Sequence, residues 1–177
     1  MEENIAVNGK SFRIVKLLGK GKGGYSYLAE DGADKFVVKQ IHHEPCEYYN
    51  FGDKLAAELN DYNRLSAVGI RIPRLLDADI ANERLLKEYI DGPTVAELVS
   101  AGRLTPRHIE GVKQMCALLY AAGLNIDYYP TNFIDTEAGL YYIDYECNAY
   151  SDEWNFENWG SKYWRITDNQ RREEPRF

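Results

Sequence analysis

Two acidic residues and one amide in the second half of the sequence have the types and spacing that could support chemistry. Asp127 and Asn132 lie five positions apart in a loop-like segment that contains Pro130 and follows an amphipathic helix. An apolar run over residues 140–143 then leads to a second carboxylate, Asp144. Carboxylate and amide oxygens are ligands that magnesium prefers, and a carboxylate can orient a hydroxyl group and accept its proton. The alternatives are an Asx turn at Asp127 and a strand-end cap at Asp144.

A glycine-rich stretch near the N-terminus could bind phosphate. Alternating apolar and basic residues predict a strand over residues 12–18, which runs into a Gly-x-Gly-x-x-Gly pattern formed by Gly19, Gly21 and Gly24. Such a turn lets backbone N–H groups approach phosphate oxygens without side-chain obstruction. A dinucleotide-binding turn is disfavoured because no helix follows, and Asp31-Gly32 instead signals a hairpin. A flexible hairpin without a ligand is the alternative.

The next strand and helix carry a lysine and a glutamate that could act together. Lys39 closes a Phe-Val-Val-Lys run in a strand predicted over residues 35–41, fifteen residues after the last glycine of the pattern. A helix predicted from Asp53 to near Gly69 by its apolar spacing contains Glu58. An ordinary solvated lysine and glutamate are the alternatives. Three nearby acids compete with Glu58, namely Glu44, Glu47 and Asp61.

The middle of the chain predicts the elements that must position these groups. Residues 77–80 and 84–90 are expected to form a hairpin across the turn 81–83. Thr94 is expected to cap a short helix, and Thr105-Pro106 to begin a longer one. The longer helix should end at Gly123, directly before the Asp127 loop.

In their order along the chain, these features resemble the protein-kinase superfamily. The glycine loop, the Val-Val-Lys strand, the helix glutamate, the Asp-x4-Asn loop and the Ile-Asp pair follow the order of the kinase motifs. The Gly-Ile-Arg-Ile-Pro phrase at residues 69–73 is similar to small atypical Ser/Thr kinases, such as the RIO family and the kinase subunit of the tRNA threonylcarbamoylation complex. The Ile-Asp-Tyr-Glu metal motif at residues 143–146 resembles that of aminoglycoside and choline kinases. The chain is similar to a minimal bacterial member of this superfamily.

The resemblance implies an α+β fold of the bilobed protein-kinase-like type. Residues 1–90 would form an antiparallel-sheet N-lobe, and residues 91–177 a truncated, mainly helical C-lobe with an aromatic tail. ATP and Mg²⁺ would be the cofactors.

The same resemblance assigns a role to each candidate residue. Asp127 would be the catalytic residue that orients the acceptor hydroxyl, while Asn132 and Asp144 would bind the metal. Lys39 would hold the nucleotide phosphates under the glycine loop, and backbone groups near the hinge would contact adenine. The residues implied in nucleotide binding are Gly19, Gly21, Gly24, Lys39, Glu58, Glu88 and Ile90.

Four departures from the kinase pattern affect what we expect. Ser26 replaces the valine that covers adenine, and Asn125 replaces a histidine with a scaffolding role. Asp-Tyr-Glu at residues 144–146 replaces Asp-Phe-Gly, and only 31 residues follow Glu146. We therefore expect neither an activation loop nor a large platform for peptide binding.

Composition excludes several function classes. A net charge of −7 argues against a large nucleic-acid footprint, and no apolar run approaches a membrane span, so we expect no membrane partner. The three cysteines, Cys46, Cys116 and Cys147, lack metal-ligand spacing and suit a reducing cytoplasm. We predict no metal site at His42-His43, because adjacent side chains at a strand end point to opposite sides.

The C-terminal region is rich in tryptophan. Residues 151–164 could form a final helix, although Trp154, Trp159 and Trp164 do not share one helical face. These rings either pack under the shortened lobe or form a docking surface for a protein partner, since aromatic residues are enriched in interface hot spots. Residues 169–177, with three arginines, are expected to be mobile.

The sequence therefore predicts an enzyme, an ATP- and Mg²⁺-dependent phosphotransferase. The resemblance favours an atypical Ser/Thr protein kinase that acts on a protein hydroxyl, including its own. Two alternatives stay open: a small-molecule kinase, and an ATP-binding or ATPase regulatory subunit that acts through a protein partner.

Overall fold

A computed structural model describes residues 3–45 and 53–166 of the chain. The chain divides into two compact units. The first lies within residues 1–60 and 73–89, and the second within residues 61–72 and 90–177. The helix α1, Lys54–Val68, begins in the first unit and ends in the second.

The first unit contains one six-stranded antiparallel sheet with the strand order β1-β2-β3-β4-β6-β5. Its strands are β1 (Asn4–Val7), β2 (Lys10–Lys20), β3 (Gly24–Asp31), β4 (Asp34–Ile41), β5 (Leu75–Asp79) and β6 (Arg84–Glu88). The mixed α+β class is therefore present. The predicted hairpin around residues 81–83 is the β5–β6 pair.

Tight turns with left-handed residues set the register of this sheet. Gly32, at φ 63°, lies in the turn between β3 and β4, where the Asp-Gly signal predicts a hairpin. Asn8 and Gly9 have φ values of 48° and 81°, which suits a two-residue hairpin between β1 and β2. The strand β1 was not predicted from the sequence, although Asn-Gly is a strong hairpin signal.

Apolar side chains of the strands and of α1 form two clusters among the described residues of the first unit. Phe12, Ala29 and Val38 are at the centre of one cluster, and Ile41, Leu55 and Leu85 form the other. The second cluster joins the sheet to the start of α1 through Leu55. Burial of these side chains is the main favourable contribution to the folding of this unit.

Up to residue 166, where the described part of the chain ends, the second unit contains two α-helices and four short strands of its own. These elements are α2 (Val95–Ser100), α3 (Pro106–Ala121), β7 (Leu124–Ile126), β8 (Phe133–Thr136), β9 (Gly139–Tyr142) and β10 (Cys147–Ala149). Thr94 caps α2 with a reciprocal Glu97 contact, and Pro106 occupies the first turn of α3, as the sequence predicts. β8 pairs with β9, and β7 pairs with β10.

These elements place the two candidate loops in the second unit. The segment between β7 and β8 carries Asp127 and Asn132, and the segment between β9 and β10 carries Asp144. Val112, Leu119 and other buried residues of α3 belong to the large apolar core of the unit. Both loops are thus attached to strands that pack on the same core.

The prediction of a final helix over residues 151–164 is wrong. The chain instead forms three short turns, Asp152–Trp154, Phe156–Gly160 and Ser161–Tyr163, of 3-10 and π type. The three tryptophans are not spaced to lie on one face of a helix. Their rings pack against different neighbours instead. The predictions for Cys46, Glu47 and residues 169–177 lie outside the described residues. None of the helices described is long and apolar enough to cross a membrane.

Candidate functional site

The loop after β7 holds Asp127 and Asn132 together. The Asn132 side-chain Nδ2 donates to the Asp127 carbonyl oxygen at 3.3 Å. The backbone N–H of Tyr129 donates to Asp127 Oδ1 at 3.0 Å, which is the geometry of an Asx turn. The Asx turn considered for Asp127 is therefore present, and it fixes one oxygen of the carboxylate.

The Asp144 segment is tied to the same loop. The N–H of Ile143 donates to the Asn132 carbonyl oxygen at 2.9 Å, directly before Asp144. Asp144 Oδ1 accepts a hydrogen bond from the N–H of Tyr145 at 2.8 Å. The structure thus brings the backbone of Asn132 next to the residue that precedes Asp144.

A buried tyrosine, Tyr142, connects the two loops. Its hydroxyl group donates to the Glu146 carbonyl oxygen at 2.8 Å and accepts from the N–H of Asp127 at 3.3 Å. Burial and then the negative charges of Asp144 and Asp127 raise the pKa of Tyr142 well above its ordinary value. The hydroxyl therefore stays protonated and lies among the carboxylates of the candidate site.

Asn125, where the resemblance to kinases leads one to expect a histidine, is buried. Asn125 lies in β7, and its Nδ2 donates to the Ser151 carbonyl oxygen at 2.9 Å. Its Oδ1 has no hydrogen-bond partner among the described residues. Asn125 thus links β7 to the start of the C-terminal turns.

Part of the tryptophan-rich region packs against Tyr128 of the Asp127 loop. Trp164 is buried, and its Nε1 donates to the Tyr128 carbonyl oxygen at 2.8 Å. A methyl group on Gly160 would lie 2.6 Å from Tyr128 Cβ, so only glycine allows this approach. Phe156 packs edge-on to the Tyr128 ring at 5.7 Å between centroids. The Asp127 loop therefore depends on residues that are about 30 positions further along the chain.

The first unit brings Lys39 and Glu58 together. Lys39 Nζ lies 2.8 Å from Glu58 Oε1 and 2.7 Å from Oε2, and the two side chains are only 13% and 10% exposed. The two described competitors have other partners. Glu44 contacts Lys20 and Tyr25, whereas Asp61 contacts Arg64 and the N–H of Cys147.

The glycines of the loop differ in how closely other atoms approach the position that a side chain would occupy. A methyl group on Gly24 would collide with the Gln40 carbonyl oxygen, whereas one on Gly19 would meet nothing within 4 Å in the described part of the chain. At Gly21 the nearest atom would be the Gly24 carbonyl oxygen, 3.9 Å away. Gly23, which the sequence pattern missed, faces Lys39, since its added methyl group would lie 3.9 Å from Lys39 Nζ.

Of the two candidate adenine contacts, Glu88 lies at the end of the sheet and Ile90 lies two residues beyond it. Glu88 ends β6, its N–H donates to the Arg74 carbonyl oxygen at 2.9 Å, and its carboxylate pairs with the Arg74 side chain. Ile90 is buried in the second unit. The Glu88 N–H is therefore already engaged in a backbone hydrogen bond.

The adjacent histidines contact different groups. His42 Nε2 lies 3.0 Å from the Gly21 carbonyl oxygen, and His43 Nε2 lies 2.6 Å from Glu83 Oε2. Within residues 3–45 and 53–166, no group of three or more His, Cys, Asp or Glu residues could hold a metal ion.

No protein-family model matches the chain, and no curated protein matches it significantly.

Proposed function

We propose that this protein is an ATP- and Mg²⁺-dependent phosphotransferase with a bilobed kinase-like fold, acting as an atypical Ser/Thr protein kinase. The observation that carries the proposal is the polar cluster around the Tyr142 hydroxyl. It connects the Asp127 loop to the Asp144 segment, so that a proton-accepting carboxylate and two metal-ligand candidates belong to one hydrogen-bonded arrangement.

The donor set fits magnesium. Asn132 and Asp144 would supply an amide oxygen and a carboxylate oxygen, and Mg²⁺ commonly takes one or two protein ligands and completes its shell with water and phosphate oxygens. When bound, the metal would neutralise charge on the ATP phosphates.

The chain's own residues would perform the remaining roles. Lys39, held by both oxygens of Glu58, would neutralise phosphate charge, while the glycine loop would cover the nucleotide. The acceptor hydroxyl oxygen would bond to the γ-phosphorus as the bond to the β–γ bridging oxygen breaks, which releases ADP. Asp127 would orient that hydroxyl and accept its proton.

The test uses γ-labelled ATP and Mg²⁺ with the full chain, alone and with cell extract. We would compare wild type with Asp144→Asn, which keeps an oxygen for the Tyr145 N–H but loses the charge. Glu137→Ala, at an exposed turn, is the matched control for the loss of one negative charge. Label on protein that is lost in Asp144→Asn supports a protein kinase, and label on a metabolite supports a small-molecule kinase. No transfer and no nucleotide binding by folded wild type would refute the proposal.

One observation favours a second candidate, a nucleotide-binding subunit that acts through a protein partner. Trp154 is 52% exposed, and its ring contacts Trp159 at 5.9 Å between centroids. Trp159 contacts Tyr163, which in turn contacts the exposed Tyr129 of the Asp127 loop. Such aromatic surfaces are enriched in interfaces. A biological effect that survives Asp127→Ala but is lost in Trp154→Ala would favour this candidate over an enzyme.

A further inference from the structure

A second lysine, Lys54, lies against the glycine loop. Lys54 is the first residue of α1 and is 9% exposed, and Glu58 follows it by one helical turn. Its Nζ donates to the His42 carbonyl oxygen at 2.7 Å and to the Lys22 carbonyl oxygen at 3.3 Å. Removing an ammonium group from water is costly. The contacts of this ammonium group with the loop backbone therefore suggest a structural purpose.

His42, the residue directly after β4, binds the carbonyl groups on either side of Lys22. The N–H of Glu44 donates to His42 Nδ1 at 3.3 Å, which leaves Nε2 as the protonated ring nitrogen that donates to the Gly21 carbonyl oxygen. The backbone N–H of His42 donates to the Gly23 carbonyl oxygen at 3.3 Å. Three consecutive loop carbonyl oxygens thus accept hydrogen bonds from His42 or Lys54.

This arrangement determines where the loop N–H groups point. In a trans peptide group, the carbonyl oxygen and the following N–H point in opposite directions. The N–H of Gly23 therefore points away from Lys54, because the Lys22 carbonyl oxygen points toward it. Gly23 also faces the ammonium group of Lys39. Backbone N–H groups oriented to one side form a concave site for anions.

We infer that Lys54 is a positioning residue that orients the glycine loop for the polyphosphate group of a nucleotide. The inference rests on the proposed function. Lys54 holds the Lys22–Gly23 peptide group so that its N–H, and not its carbonyl oxygen, faces the phosphate. Without the Lys54 ammonium group this peptide group can rotate, because the rotation changes the backbone angles of Lys22 and Gly23, and glycine resists it weakly.

The test compares binding of ATP, ADP and adenosine, each with Mg²⁺, to the full chain by calorimetric titration. Lys54→Met keeps the aliphatic part of the side chain and removes the ammonium group. We expect ATP and ADP to bind about tenfold more weakly, as for the loss of one hydrogen bond from a charged group, and adenosine to bind as in wild type. The matched control is Lys16→Met, which removes one exposed positive charge from β2 and should bind all three ligands as wild type does.

The outcomes separate this inference from the proposed function. If wild type binds ATP and Lys54→Met binds all three ligands unchanged, or all three more weakly by the same factor, Lys54 does not act through the phosphates and the inference is wrong. If folded wild type binds no ATP, both the inference and the proposed function are wrong.

A measurement on wild type keeps the test valid if Lys54→Met does not fold. The amide resonance of Gly23 should shift on addition of ADP or pyrophosphate and should stay in place with adenosine. An unshifted Gly23 resonance with bound ADP would overturn the inference.

Discussion

The Tyr142 hydroxyl allows a sharp test of how the candidate site is held together. Tyr142→Phe removes one oxygen atom and keeps the buried ring, which packs against Phe133 at 5.3 Å between centroids. The change leaves the Glu146 carbonyl oxygen and the Asp127 N–H without this partner.

The expected loss in the free energy of unfolding follows from the two hydrogen bonds of the Tyr142 hydroxyl. The bond to Glu146 is short at 2.8 Å, while the one from Asp127 is long at 3.3 Å and contributes less. Both hydrogen bonds are partly buried, and a hydrogen bond within a protein contributes about 0.5–1.5 kcal/mol, so for the loss of the two we expect the free energy of unfolding to fall by about 2 kcal/mol. For a protein of this size, that corresponds to a melting temperature lower by about 4–8 °C.

The assay combines thermal unfolding with phosphoryl transfer. If the proposed function holds, kcat should fall about tenfold, because the positions of Asp127 and Asp144 are no longer coupled through the hydroxyl. The matched control is Tyr141→Phe, the same change at the adjacent, half-buried residue of β9. If Tyr142→Phe melts at the same temperature as Tyr141→Phe, the hydroxyl does not hold the loops together and the reasoning is refuted.

Two further predictions test the packing behind the site. Gly160→Ala should lower the free energy of unfolding by about 1–3 kcal/mol in denaturant titrations, because its methyl group would lie 2.6 Å from Tyr128 Cβ; a loss no larger than in Gly19→Ala would contradict this. Burial, followed by the negative charge of Asp61, raises the pKa of Cys147 from 9.0 to about 12. Because the unfolded thiol ionises first, stability should decline as pH rises from 9 towards 12, and Cys147→Ala should decline less steeply; equal slopes would argue against the raised pKa.

Local patterns predicted many elements correctly. Thr94 and Thr105-Pro106 mark helix starts because capping depends on neighbouring backbone groups, and Asp31-Gly32 marks a turn because glycine tolerates a positive φ. The strand β1 was missed although Asn8-Gly9 carries the same kind of signal. The final helix was expected wrongly because aromatic packing, which the sequence does not display, outweighed local preference.

The candidate site was predictable only where residue chemistry is itself the signal. Asp127, Asn132 and Asp144 stand out by their oxygen atoms and spacing, and Lys39 by its place in a strand. The contact between Lys39 and Glu58 could be expected but not selected with certainty, since nearby acids had the same chemistry.

By itself the sequence determined most of the order of strands and helices and the order of the chemically competent residues, because these depend on residue type and on contacts between near neighbours. Only the tertiary structure decided which side chains hold the candidate loops in place. Tyr142, Trp164 and Lys54 act through backbone groups to which no residue type is specific. Trp164 and Lys54 reach partners more than thirty positions away, which no local pattern records.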